Sequence, residues 1–149
     1  MRSPYVLLCK RRGTWLVLTA LALVAVGCDD GRPDRVPVSG QVLIDGEPLT
    51  HGYVRLVHPT SRPAVGKLDA DGRFTLSCYE KGDGAIRGVQ QVAIDAKKPI
   101  GEDRLEWYAP KKYASATTSG IEVEITEPTD SLTINISWDG QKGPIVERF

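Results

Sequence analysis

The sequence predicts an all-β domain, a seven-stranded antiparallel sandwich, set behind a short N-terminal helix that directs export. Three observations carry this. From Val36 onward apolar residues recur at every second position rather than at helical spacing. Asp-Gly pairs at Asp45-Gly46, Asp71-Gly72 and Asp83-Gly84 break the pattern where tight turns need positive φ. Composition agrees: 15 Gly, 10 Pro and 7% aromatic residues suit turns and strands better than a helical bundle. A remainder of roughly 110 residues after the export segment buries a real core without needing disulfides.

The elements follow in order. Val36, Val38, Val42 and Ile44 share one face of an extended segment, with Gly40 between them. After the Asp45-Gly46 turn, residues 52–58 form a second strand whose inward face is Val54 and Leu56. Residues 59–63 loop into a short strand at 64–68, and Asp69-Ala70-Asp71-Gly72 turns into the strand of Phe74 and Leu76. Residues 80–88 are a second loop, and Val92, Ile94 and Ala96 mark the fifth strand. Ile121, Val123 and Ile125 then alternate with Glu122, Glu124 and Thr126. Leu132, Ile134, Ile136 and Trp138 alternate with Thr133, Asn135 and Ser137, and residues 127–130 read as a hairpin connection between these last two strands. The longest connection spans residues 97–118, and within it only residues 102–109 can hold a brief helical turn. No internal repeat or low-complexity tract is visible.

The N-terminus has its own logic. Arg2, Lys10, Arg11 and Arg12 are the only charges before Asp29. Thr14 to Val26 is an uncharged run that spans about 20 Å as a helix at ~1.5 Å per residue. A bilayer core needs about 30 Å, so the run is too short to stay as a membrane span. A basic head, a short apolar stretch and small residues before a cut form the signal-peptide pattern. Ala25 and Gly27 suit ordinary cleavage, and Cys28 follows the cut directly. That placement resembles a bacterial lipobox, with Ala25 where Leu is usual. The alternative is a chance cysteine after an ordinary signal. The reading adopted is residues 1–27 as a lipoprotein signal peptide, Cys28 as the lipid attachment site, residues 28–35 as a polar tether and residues 36–149 as the domain. Asp29 resembles a signal for retention on the inner membrane, a rule that differs between bacterial lineages. The protein is then expected to be exported and held on the periplasmic or extracellular face of a bacterial membrane.

Val38-Ser39-Gly40-Gln41-Val42, Asp45-Gly46-Glu47-Pro48-Leu49, Gly52 with Val54, and Asp69 through Leu76 carry a resemblance. Together they resemble the carboxypeptidase regulatory-like, or transthyretin-like, domain family. Pro110 to Tyr113 and Ser119 to Ile125 narrow it to small bacterial lipoproteins that hold one such domain. The likeness covers nearly all of residues 36–138 and rests largely on turn chemistry. It departs at Gln90, where an aromatic usually stands two residues after Gly88. The resemblance implies a Greek-key, prealbumin-like sandwich without catalytic machinery, an accessory in the enzymes that give the family its name.

Candidate chemistry is sparse. With the signal removed, 15 basic residues face 19 acidic ones, a net of −4 with no basic stripe, which argues against nucleic acid as a partner. Placing Gly72 at the sixth position of a helix-loop-helix calcium loop puts Lys67 first and Cys78 twelfth, so that motif fails and a β-turn is expected. His51 and His58 are seven apart, so on one strand they would face opposite sides, which speaks against a shared metal. Cys78 continues the parity of Phe74 and Leu76 and is expected in the core. No catalytic residue, cofactor or metal is assigned. Trp107, Tyr108 and Tyr113 in the long connection are the candidate ligand or lid loop. They can stack on sugars, anchor a protein, or lid the end of the sandwich. The lid is expected, with Trp107 largely buried and with Trp107 and Tyr108 on opposite sides. The sequence therefore favours a non-catalytic, lipid-anchored envelope module with a protein or polysaccharide partner. The alternative is a carbohydrate-binding accessory lipoprotein, and an enzyme is a distant third.

Overall fold

The computed structural model describes residues 31–149, of which Pro33–Phe149 form one compact unit. The unit is all-β. Its strands are β1 (Arg35–Val36), β2 (Val38–Ile44), β3 (Glu47–Pro48), β4 (Tyr53–Val57), β5 (Ala64–Lys67), β6 (Arg73–Thr75), β7 (Ala85–Ile86), β8 (Gly88–Asp95), β9 (Lys97–Pro99), β10 (Arg104–Trp107), β11 (Glu122–Ile125), β12 (Thr129–Ile136) and β13 (Ile145–Arg148). A 3-10 turn at Lys111–Ala114 and a one-turn helix α1 (Ala116–Ser119) lie before β11.

Two four-stranded sheets share one core. The first runs β11-β8-β4-β5, and the second holds β12, β2 and β3, with β6 also pairing β2. Alternation decides which side chains meet: Val38 and Val42 of β2, Val54 and Leu56 of β4, Phe74 and Leu76 at β6, and Val92 and Ile94 of β8 are all buried in the same cluster. Burying such side chains contributes ~1.5–3 kcal/mol each. Along one side the chain from β6 stitches the sheets together. Gly40 of β2 faces Phe74, and Ser77 exchanges two 2.9 Å backbone hydrogen bonds with Val65 of β5.

Three features depart from the sequence reading. Thirteen strands replace the expected seven, because short pairings flank the main ones. Not every pairing is antiparallel: β12 runs parallel to β2, with a register break between Thr129 and Leu132. Consequently residues 127–130 do not close a hairpin. β11 pairs β8 in one sheet while β12 pairs β2 in the other, so this connection crosses between sheets. Gly40 permits the parallel pairing. A Cβ there would sit 1.9 Å from the Leu132 carbonyl oxygen, so only glycine lets β12 bulge this close to β2.

The N-terminal boundary also shifts. Arg35, read as the end of the tether, opens β1 opposite Ile86 of β7, and Asp34 already pairs with Arg87 at 2.8 Å. Residues 102–109 form no helical turn. Residues 104–107 are β10, held between β9 and β13 in a third sheet. That sheet lies at the end of the unit away from β1 and β7. β7 precedes and β9 follows the eight residues of β8, whose length at about 3.4 Å per residue separates them by roughly 25 Å.

Candidate functional site

The aromatic connection is built on the third sheet. Register places Trp107 opposite Ile145 and Lys97, and Leu105 opposite Glu147 and Pro99, so these side chains share one face. The indole Nε1 donates to Glu147 Oε2 at 3.1 Å. Lys97 and Lys111 bring their ammonium groups to 5.7 and 5.5 Å from the ring centroid, within cation–π reach. Lys111 also ion-pairs with Glu147, and this bond, followed by that of Trp107, holds the Glu147 carboxyl below its usual range. The result is a self-satisfied cluster around a half-buried ring. Trp107 is thus not the largely buried plug expected from the sequence. Its sheet has exposed lysines on one flank and exposed Ile145 and Val146 on the other, so lysine stems rather than the core cover the indole.

Tyr108 points the other way, as the parity of adjacent strand residues expects. Its hydroxyl donates to Glu106 Oε2 at 2.7 Å, which raises its pKa, and its ring packs 5.0 Å from His51. Tyr113 takes the lid role. It is 7% exposed, belongs to the core cluster, and its hydroxyl accepts from the Ser137 backbone N–H at 3.3 Å just beyond β12. Its 3-10 turn packs on β8 of the opposite sheet, so one ring ties both sheets together. Arg55 fastens the same segment by donating to the Ala114 carbonyl at 2.9 Å. Glu147 was missed in the sequence because it lies 40 residues from Trp107 with no local signal.

The remaining candidates fall where turn and core chemistry put them. Asp69 Oδ1 accepts from the Asp71 and Arg73 N–H groups at 2.9 and 2.8 Å, an Asx turn that uses the carboxylate internally. Cys78 is buried, and its thiol donates to the Arg62 carbonyl at 3.3 Å. Burial, reinforced by the nearby Asp83 carboxylate, pushes the thiol pKa up. Asp83 is the organising residue of residues 78–84: it accepts from the N–H groups of Cys78, Tyr79 and Glu80 and pairs with Arg35 at 3.0 Å. Burial alone would raise its pKa. Those three amides and Arg35 outweigh it and hold the carboxyl below its usual value. Gln90, the departure from the resembled pattern, is 2% exposed and spends its amide on the Ile86 carbonyl. His51 meets Tyr108, whereas His58 Nδ1 accepts from Thr60 N–H, so the two histidines do not converge. Among the described residues no three His, Cys, Asp or Glu side chains gather as a metal site, and no helix is long and apolar enough to cross a membrane. Cys28 and the signal segment lie outside the described residues. No family model, curated protein or solved structure matches the chain.

Proposed function

We propose that this protein is a non-catalytic, lipid-anchored module of a bacterial cell envelope, a Greek-key sandwich of the carboxypeptidase regulatory-like kind held at the membrane through Cys28. The observation that carries the reading is the stretch Leu21 to Gly31, where a short apolar run ends in small residues, a cysteine and two aspartates. The fold adds support. Among the described residues the first strand opens at Arg35, and the sequence between Cys28 and that strand is short and polar. Metabolic labelling with a palmitate analogue tests the anchor. The protein takes the label, and Cys28→Ser abolishes it. Label retained by the variant overturns the reading.

A carbohydrate-binding role has one observation in its favour, the half-buried Trp107 ring on an exposed sheet. Against it stand the two lysines and Glu147 already gathered on that ring, and the inward turn of Tyr113. Loss of polysaccharide retention in Trp107→Ala without loss of the wild-type fold would put that role first.

A further inference from the structure

The seam where β6 joins the two sheets has an outer face that the fold does not use. Phe74 and Leu76 point into the core, so Arg73, Thr75 and Ser77 point out. Ser39 of β2 stands opposite Thr75, and Lys67 ends β5 beside them. With Asp130 these side chains line an open groove of about 560 Å³.

Two of its cations stand outside the surface ion pairs, as Arg62, Lys81, Lys98 and Lys142 also do among the described residues. Lys97, Lys111, Lys112, Arg35, Arg87, Arg104 and Arg148 all have carboxylate partners. Among the described residues Lys67 and Arg73 form no ion pair, although both open onto one groove. Among the described residues the hydroxyls of Ser39 and Thr75 likewise make no hydrogen bond. Asp69, also on the lining, commits an oxygen to its own turn. Asp130 follows Thr129, which is opposite Val38, so it flanks the Ser39 side of the groove while Arg73 flanks the other.

We infer that this groove binds an acidic saccharide, with the sugar carboxylate held between Lys67 and Arg73. Guanidinium and ammonium groups bind carboxylate through charge-assisted hydrogen bonds. The ring hydroxyls of the sugar pair with Ser39 and Thr75 and donate to Asp130. Outward residues on β6 recur about every 6.8 Å, a row long enough to meet more than one sugar ring. A peptide fits less well. The strands are already paired at the seam, which leaves no free edge for strand addition, and Val65 is the single exposed apolar residue lining the groove.

Affinity electrophoresis of the full-length protein in neutral detergent, through gels holding polygalacturonate, dextran or polyglutamate, tests this. Polygalacturonate retards the wild type, and dextran and polyglutamate do so far less. Retardation weakens between low salt and about 0.15 M salt, as exposed charges are screened. Lys67→Gln with Arg73→Gln weakens binding by about tenfold or more, a loss of roughly one charge-assisted contact. Thr75→Val, isosteric and uncharged, weakens it less, and Lys97→Gln with Lys111→Gln leaves it unchanged. Circular dichroism confirms that each variant is folded. Unchanged polygalacturonate binding in the Lys67/Arg73 variant, or equal retardation by polyglutamate, overturns the proposal.

Discussion

The two large sheets and the small sheet of β9, β10 and β13 use strands in opposite ways. In the large sheets every second side chain enters one shared core, and Val42, Val54, Leu56, Leu76, Val92 and Ile94 are fully buried. In the small sheet β9 is exposed throughout, and no residue of β10 or β13 is buried. Its side chains meet through Glu147, Lys111 and Asp103 ion pairs instead. Exposed pairs of this kind contribute little and are weakened by salt. Stability therefore belongs to the sandwich-like body, while the small sheet is free to vary. Two aromatic residues six positions apart, Tyr113 and Trp107, fall on either side of that divide.

The comparison breaks first at Tyr113. Removing a buried aromatic side chain typically costs ~3–5 kcal/mol. Tyr113→Ala is expected to lower stability by about 3 kcal/mol, on the order of 10 °C in Tm. Tyr113→Phe loses only the hydroxyl that accepts from Ser137 and costs about 1 kcal/mol. Thermal unfolding followed by circular dichroism checks both. A Tyr113→Ala protein that melts within a degree or two of wild type would show that the ring does not tie the sheets.

Asp83 gives the next largest effect, and it depends on pH. Its folded pKa is depressed, so its contribution is complete above the unfolded carboxyl pKa of about 3.9 and fades as pH falls through the lower folded value. Asp83→Asn is expected to cost about 1–2 kcal/mol at neutral pH, where three amides lose a charged acceptor. The gap between variant and wild type narrows below about pH 3.9. The same substitution loosens residues 78–84 over Cys78. A thiol reagent reacts slowly with the native wild type, faster with Asp83→Asn, and at the free-thiol rate only in denaturant. Fast labelling of the native wild type would mean that Cys78 is not held in the core.

Legibility in the sequence follows the same divide. Strands with one wet and one dry face announce themselves by period two, which is why Val38, Val54, Phe74, Ile94 and Ile134 were placed inward and are buried. β10 alternates over only the four residues Arg104-Leu105-Glu106-Trp107 and buries neither face, so the signal is too short to stand out, and the partners that make it a strand are residues 97–99 and 145–148. The hairpin expected around Pro128 failed for a related reason. β11 and β12 both alternate correctly toward the core, and periodicity cannot tell two strands of one sheet from two strands facing each other across it. Only Gly40, where β12 presses against β2, betrays the true pairing, and its meaning depends on a contact 92 residues away in sequence. The lid was legible as a role but not as a residue. Pro110 turns the chain after the small sheet, and that turn carries Tyr113 inward while leaving Trp107 outside.

Trp107 supplies the smallest expected effect on global stability and the sharpest test of the divide. Its indole bonds one exposed-sheet carboxylate and sits beside two lysines, all within the small sheet and the segment next to it. Trp107→Ala removes those contacts together, yet it opens no cavity in the core, because the ring is not part of the core cluster. A half-covered aromatic at a sheet whose ion pairs are solvent-screened is expected to contribute about 1 kcal/mol, well short of the ~3–5 kcal/mol of a buried one. The loss should be local as well as small. Amide exchange of β10 and β13 should quicken in the variant, while β2, β4 and β8 keep wild-type protection, since openings in a weakly packed unit need not pass through global unfolding. High salt should mimic part of the effect in the wild type by screening Lys111 and Glu147. A Trp107→Ala protein whose Tm falls as far as that of Tyr113→Ala, with exchange accelerated throughout the body, would mean that the small sheet and the body unfold as one cooperative unit.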